Sequence, residues 1–358
     1  MDRIVNRLIT ASAAIAGSGL LAACNLYFPD SPNGSADGGH GFPDARPGHP
    51  DAGPRFPDAA VGYPDARPWT PDPGGGPGDL AQRWLAFDSD RGSFNRDIYL
   101  VRGDGSGLRR LTSDASVEME PAFSHRGTTL AFTSDRSGSM QIHALDLATG
   151  AVTQLTFLAD GADEPSWSAD DTELVFHSGP SIYLIAAGGG KPTLLATGLD
   201  DFNAYRYPSL SLTGTEVIFS RNNEINARRL DTGAQRYVVQ NWTVTEETPA
   251  LSPDGRLVAF GVRCSTFEMI AVTPFSAYAP DPCQTEPVTT LGDGAARKPA
   301  WASNDALAFE RAVNFDPQLS TAVISGTTAP GGLAFDIVGP PGDNRNPSWA
   351  PVGFQPSK

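Results

Sequence analysis

The chain has 358 residues, 40% of them hydrophobic, and a formal net charge of −15, with a sequence pI of about 4.7. That apolar share is enough to bury a core. The acidic balance argues against a general nucleic-acid binder, which needs a basic face, and against electrostatic docking on anionic lipid.

The N-terminus reads as an address. Arg3 and Arg7 precede an apolar stretch from Leu8 to Leu21, and Leu21-Ala22-Ala23-Cys24 follows. A charged start, a short apolar run and a small-residue cleavage site describe a secretory signal over residues 1–23. The stretch is short for a transmembrane helix, which needs about 20 apolar residues. Leu21-Ala22-Ala23-Cys24 resembles the bacterial lipobox. The resemblance implies that Cys24 becomes the lipidated first residue of a lipoprotein anchored in the cell envelope. Asn25 rather than Asp follows the Cys, so the resemblance favours the outer membrane, with the leaflet open.

Residues 24–82 form the lipidated Cys and a tether rich in Pro, Gly, Asp and Ala. An aromatic-Pro-Asp motif recurs at Phe28-Pro29-Asp30, Phe42-Pro43-Asp44, Phe56-Pro57-Asp58 and Tyr63-Pro64-Asp65. Such a composition builds no core and reads as a hydrated, disordered linker. Fully extended at about 3.1 Å per residue, it reaches well over 100 Å.

From about residue 84 a two-part pattern repeats. A Phe-ending strand appears as Leu85-Ala86-Phe87, Leu130-Ala131-Phe132, Leu174-Val175-Phe176, Val217-Ile218-Phe219, Val258-Ala259-Phe260 and Leu307-Ala308-Phe309. A Pro-small-apolar-small segment starts at Pro121, Pro165, Pro208, Pro249, Pro299 and Pro347, at intervals of 44, 43, 41, 50 and 48 residues. Third strands follow, as in Asp97 to Val101 and Gln141 to Leu145, and fourth strands often end in Leu-Thr, as at Leu111-Thr112. Turn residues separate them, as in Pro253-Asp254-Gly255. A period of about 40–50 residues built from short strands predicts an all-β, six-bladed β-propeller of four-stranded antiparallel blades over residues 83–354. The chain enters the repeats at a Phe strand and leaves on a Pro-anchored one. The last strand is therefore expected to complete blade one, which closes the ring and removes exposed sheet edges.

Pro249-Ala250-Leu251-Ser252-Pro253-Asp254-Gly255-Arg256-Leu257-Val258-Ala259-Phe260 resembles the TolB-type β-propeller repeat, also found in the propellers of prolyl-oligopeptidase-type enzymes. The resemblance covers residues 84–352. Other copies depart from it: Asp-Gly is lost in most units, and Leu210 and Leu251 replace an aromatic. TolB carries an α/β domain before its propeller, whereas the tether occupies that place here. The resemblance implies a partner-binding face at a channel mouth and leaves any link to the Tol–Pal system open.

Of the three cysteines, Cys264 and Cys283 are the pair available for a disulfide in an oxidising compartment. Pairing them requires the Pro-rich loop 274–286 to turn back along its blade, with two free thiols as the alternative. No catalytic constellation emerges. There is no Gly-x-Ser-x-Gly elbow. His40 and His49 lie in the tether, and His125, His143 and His177 show no zinc-type spacing. Asp88-Ser89-Asp90 lacks the later residues of a calcium loop. The expectation is a non-enzyme with no cofactor and no metal.

The residues before each anchor proline should gather at one mouth of the central channel. They include Glu118 and Glu120; Asp163 and Glu164; Tyr205, Arg206 and Tyr207; Glu246 and Glu247 with Thr248; Arg297 and Lys298; and Arg345 with Asn344 and Asn346. Three blades bring carboxylates and three bring cations, which suits a polar peptide, a partner loop or a sugar. The sequence therefore reads as a monomeric, lipid-anchored envelope module binding a protein or peptide at this mouth. The alternative is a carbohydrate-binding or carbohydrate-active propeller with its site in the channel.

Overall fold

A computed structural model describes residues 80–92, 95–198, 205–240, 245–264, 267–276, 296–313, 316–323, 335–338 and 343–356. Blade one contains Trp84–Ser89 (β1), Asp97–Arg102 (β2) and Arg109–Arg110 (β3). Blade two is Glu118–Phe123 (β4), Thr129–Ser134 (β5), Gln141–Asp146 (β6) and Val152–Gln154 (β7). Blade three is Asp163–Trp167 (β8), Glu173–Ser178 (β9), Ser181–Ala186 (β10) and Thr193–Thr197 (β11). Blade four is Arg206–Leu210 (β12), Glu216–Arg221 (β13), Glu224–Arg229 (β14) and Gln235–Val239 (β15). Blade five has Thr245–Leu251 (β16), Leu257–Cys264 (β17) and Phe267–Pro274 (β18), three strands among the described residues. Blade six is Ala296–Ser303 (β19), Ala306–Val313 (β20), Asp316–Val323 (β21) and Phe335–Val338 (β22). The last strand, Asn344–Trp349 (β23), pairs antiparallel with β1, with Leu85 opposite Trp349 and Ser89 opposite Asn344. The chain thus closes its own ring, as its mismatched ends imply.

The core lies between blades. The six Phe residues of the second strands (Phe87, Phe132, Phe176, Phe219, Phe260 and Phe309) are all fully buried. Each apolar cluster joins neighbours: Trp84, Ile98 and Leu100 of blade one pack with Phe123, Leu130 and Phe132 of blade two. Leu85, Phe87 and Tyr99 of blade one pack with Ala306, Ala308 and Leu319 of blade six. A fully buried Phe contributes about 2–3 kcal/mol of transfer free energy, and these six repeat that contribution around the ring. Leu80 is also buried in the cluster between blades six and one, so the propeller begins slightly before residue 83.

The inner strands start three residues or so before their prolines rather than at them. In blade two, Met119 pairs with Thr133 and Ala122 with Ala131, so Glu120 and Pro121 together oppose the single residue Phe132. The same one-residue shift recurs beside Phe176, Phe219, Phe260, Phe309 and Phe87. This is a β-bulge in every blade. Proline has no N–H to offer a ladder, and a bulge is a place where that is tolerated. The strand can therefore pair on both sides of the Pro.

Candidate functional site

The bulge gives each blade one residue of unusual backbone. Glu120, Glu164, Tyr207, Thr248, Lys298 and Asn346, each just before the anchor Pro, have φ between 52° and 57°. For non-glycine residues this left-handed conformation costs about 1–3 kcal/mol each. Hydrogen bonds between blades offset the cost. The Glu120 amide donates to Asp88 Oδ1 at 3.0 Å. The Glu164 amide donates to Glu120 Oε2 at 2.9 Å, and the Tyr207 amide to Glu164 Oε2 at 2.6 Å. The Lys298 amide donates to Thr248 Oγ1 at 3.2 Å, and the Asn346 amide to Glu310 Oε1 at 2.8 Å. In each case the acceptor belongs to the preceding blade. It is either the pre-proline residue there or the residue after that blade's buried Phe, as with Asp88 and Glu310. Such clasps join five of the six neighbouring blade pairs of the ring among the described residues, the junction of blades six and one included.

This ring lines one end of an axial cavity of about 620 Å³ to which the inner strands of all six blades contribute. Its walls include Ala122, Ser166, Ser209, Ala250, Ala300 and Ser348, the small residues that follow each Pro and leave the axis open. Larger inner-strand side chains lock neighbouring blades. Trp167 Nε1 donates to the Ala122 carbonyl at 2.9 Å and Trp301 Nε1 to the Ala250 carbonyl at 3.0 Å. Toward the other end the lining includes Arg83, His125, Leu212 and Val352. Arg83 donates to the carbonyls of Ala302 and Ala350, and His125 Nδ1 lies 3.0 Å from Asp171.

The ring is electrostatically uneven. Burial pushes the Glu120 carboxyl up, Lys298 opposes that, and Asp163 adds to it. Burial also pushes Glu164 well above the usual carboxylate range, helped by Glu120 and Asp163. Glu310 is raised by burial and held back by Lys298. Asp88 is wholly buried and answered by Arg96 at 2.5 Å. Lys298 donates to Asn346 Oδ1, lies 4.0 Å from Glu310 and sits 5.9 Å from the centre of the Tyr207 ring.

Among the residues expected at the mouth, Glu120, Glu164, Tyr207, Thr248, Lys298 and Asn346 do line the cavity. The rest of the described ones lie elsewhere because only the pre-proline residue is turned by the bulge. Glu118 is fully buried in blade two, accepting from Arg136 at 3.0 Å and Ser134 at 3.4 Å. Burial, reinforced by Asp114, pushes its carboxyl up to about 7. Tyr205 is a core residue stacked on Phe219 at 4.6 Å under Arg221. Arg206 is exposed. Arg297 and Arg345 are ion-paired with Glu268 at 3.2 Å and Asp343 at 2.6 Å. Glu246 and Glu247 are placed by backbone pairing alone, opposite Val262 and Gly261. Cys24, Cys283 and the Cys264 side chain lie outside the described residues.

The sequence reading misses the residues after the buried Phe. Asp88 enters it only as part of a calcium loop, and Glu310 not at all. His177 is set aside there for lack of zinc spacing, yet it lies directly across from Asp163 on the neighbouring strand. Its Nδ1 is 2.5 Å from Asp163 Oδ1. Donor atoms of Asp163, Glu164 and His177 lie within 4.8 Å of one another, the one such trio among the described residues. Its signal in the sequence is positional: the slot after each Phe, read across repeats, holds Asp88, Thr133, His177, Ser220, Gly261 and Glu310.

Fold and site together define a closed six-bladed β-propeller with a polar ring at one end of an axial cavity. It is TolB-like: residues 81–179 match the family described as the TolB beta propeller domain. A TolB homolog of Chlorobium luteolum is 46% identical over 66 residues, 18% of this chain and 14% of the relative. The Tol-Pal system protein TolB of Desulfosudis oleivorans is 32% identical over 120 residues, 32% of this chain and 26% of the relative. The chain thus matches about a quarter or less of the length of these curated relatives. Among solved structures, TolB from Acinetobacter baumannii superposes with a TM-score of 0.63 at 18% identity, covering 77% of this chain and 68% of that one. A putative TolB from Agrobacterium tumefaciens gives 0.56 at 15% identity, covering 75% of this chain and 99% of that one. At these identities the structural likeness concerns the fold.

Proposed function

We propose that this protein is a non-catalytic recognition module of the bacterial cell envelope, which takes up a protein or peptide segment in its axial channel. The observation that carries this reading is the cavity of about 620 Å³ lined by inner strands of every blade. Its walls are small side chains, and its end holds polar groups fixed by hydrogen bonds between blades. Concave sites with mostly apolar walls and a few fixed polar groups are where ligands bind. The partial match to a Tol-Pal system protein supports the envelope setting. In the same reading Cys24 is lipidated and the tether holds the propeller away from the membrane, at the outer membrane.

A channel plug tests it. Ser209 is a half-buried wall residue, and Ser209→Trp fills the axis beside it. Wild-type and plugged proteins are crosslinked in the native envelope and recovered, and the products are identified by mass spectrometry. One dominant partner, lost in the plugged protein with its melting temperature retained, is expected. Equal recovery from both would place recognition off the channel. Metabolic labelling with a palmitate analogue, present in wild type and absent in Cys24→Ser, checks the anchor.

A further inference from the structure

The two ends of the axial cavity are built differently. Among the described residues, the lining at the ring end stops at the six pre-proline residues, and Met119, Arg206, Arg297 and Arg345, one step further out, take no part in it. At the opposite end the lining runs out onto the turns that follow the inner strands, at His125, Ala169, Leu212, Pro253 and Val352. Val352 is 52% exposed there.

The Lys298 side chain accounts for the difference. Its backbone lies in β19 of blade six, yet its ammonium donates to Asn346 Oδ1 of blade one and lies 5.9 Å from the centre of the Tyr207 ring of blade four. Blades one and four face each other across a ring of six, so a group within reach of both stands close to the axis. A charge-assisted hydrogen bond and a cation–π contact hold it there. Asn346 is itself fixed, its Nδ2 donating to Asp88 Oδ1 at 2.6 Å, and Glu310 lies 4.0 Å from the ammonium. Neighbouring extended chains pack about 5 Å apart. A peptide backbone therefore has no lane between Asn346 and Tyr207 while the ammonium is in place.

We propose that Lys298 is a bolt across the ring end of the channel, and that the segment taken up by the channel enters and leaves only through the mouth formed by the turns 124–128, 168–172, 211–215, 252–256 and 350–353. The inference rests on the channel reading above and assigns it a direction. The pre-proline ring is the floor of the site, and the partner meets the turn face, the opposite of the approach that the charges before each proline suggest.

The test follows a thiol placed on the wall. Ser166→Cys, at a half-buried lining position, is made in the full chain and treated with N-ethylmaleimide. Peptide mass spectrometry follows alkylation of the new thiol separately from the native cysteines. Leu212→Trp with Val352→Trp narrows the turn-face mouth. Lys298→Gly removes the bolt at a φ of 52°, which glycine adopts readily. Narrowing the mouth is expected to slow alkylation about tenfold or more, and adding Lys298→Gly to return it to within about threefold of the starting rate. Lys298→Ala replaces the glycine variant, and Val352→Trp alone replaces the pair, if either does not fold. An unchanged rate in the narrowed protein means that the reagent arrives through the ring, and overturns the proposal. So does a narrowed protein that stays slow once Lys298 is removed. If Ser209→Trp abolishes partner capture while the narrowed mouth leaves it intact, the channel reading stands and entry by the turn face falls. If Ser209→Trp leaves capture intact, the channel reading falls, and entry of a partner segment falls with it.

Discussion

Glu164 shows how a single residue is asked to do two things. Its backbone is held in a left-handed conformation, and its carboxyl accepts the amide that clasps the next blade. Burial, with Glu120 and Asp163 beside it, raises its pKa well above the ordinary value. An acid whose folded pKa exceeds its unfolded one binds more protons when folded. Its contribution to stability therefore falls as pH rises from the unfolded pKa through the folded one. Glu164→Gln removes that loss. The melting temperature of the variant minus that of wild type is expected to be near zero around pH 4 and to grow as pH rises. A difference that stays flat, or shrinks with pH, would contradict the assignment. Glu118 makes the same argument with a bounded window. Its carboxyl is raised from 4.5 to about 7, so the advantage of Glu118→Gln should develop between those pH values and level off above them. The partner Arg136, 3.0 Å away, works against this and limits its size.

At the scale of the element, the bulged inner strand is the unit that makes the site. Its amide clasp carries a measurable share of the stability. Thr248→Val keeps the shape of the side chain and removes the Oγ1 that accepts the Lys298 amide at 3.2 Å. A loss of about 1–3 kcal/mol in denaturant unfolding is expected, since a partly buried donor is left without its acceptor. Phe219→Ala, which empties a fully buried position opposite the bulge of blade four, is expected to cost about 3–5 kcal/mol. The same element explains what the sequence disclosed. Pro-small-apolar-small and the Phe strand recur because every blade needs the same packing, so blade number and closure were legible. The pre-proline residues are Asn, Glu, Glu, Tyr, Thr and Lys, chemically unlike, because what they share is a backbone conformation and a position. Glu120 and Glu164 were therefore recognised only as charges near a mouth, together with Glu118 and Tyr205, which turn into the blades instead. His177 joins Glu164 through strand pairing across a turn, a proximity that residue spacing along the chain does not express. In blade five the fourth strand expected from the repeat falls in residues 277–295, outside the described part of the chain, as does the expected partner of Cys264.

For the whole molecule, the decisive contact is the one between chain ends. Asn344–Trp349 supplies the inner strand of blade one, and Trp349 and Ala350 enter the clusters that join blade one to blades six and two. The Ala350 amide also donates to the Trp84 carbonyl at 2.9 Å. Deleting residues 344–358 would expose the inner edge of β1 and open the channel wall at Ser348. An unpaired strand edge is a template for association, so the truncated chain is expected to aggregate or to unfold without a single cooperative transition. That result alone would not separate lost closure from lost residues. A circular permutant does. In the other blades the inner strand leads into the second by a short turn, as residues 124–128 do between β4 and β5. Joining residue 352 to residue 82 and opening the chain in the segment 339–342 would recreate that hairpin in blade one with every strand retained. Light scattering and thermal unfolding are expected to show a monomer that melts cooperatively within about 5 °C of the parent. A permutant that fails to fold, beside a truncation that folds normally, would mean that the ring is held by packing between blades and that its terminal strand serves only to line the channel.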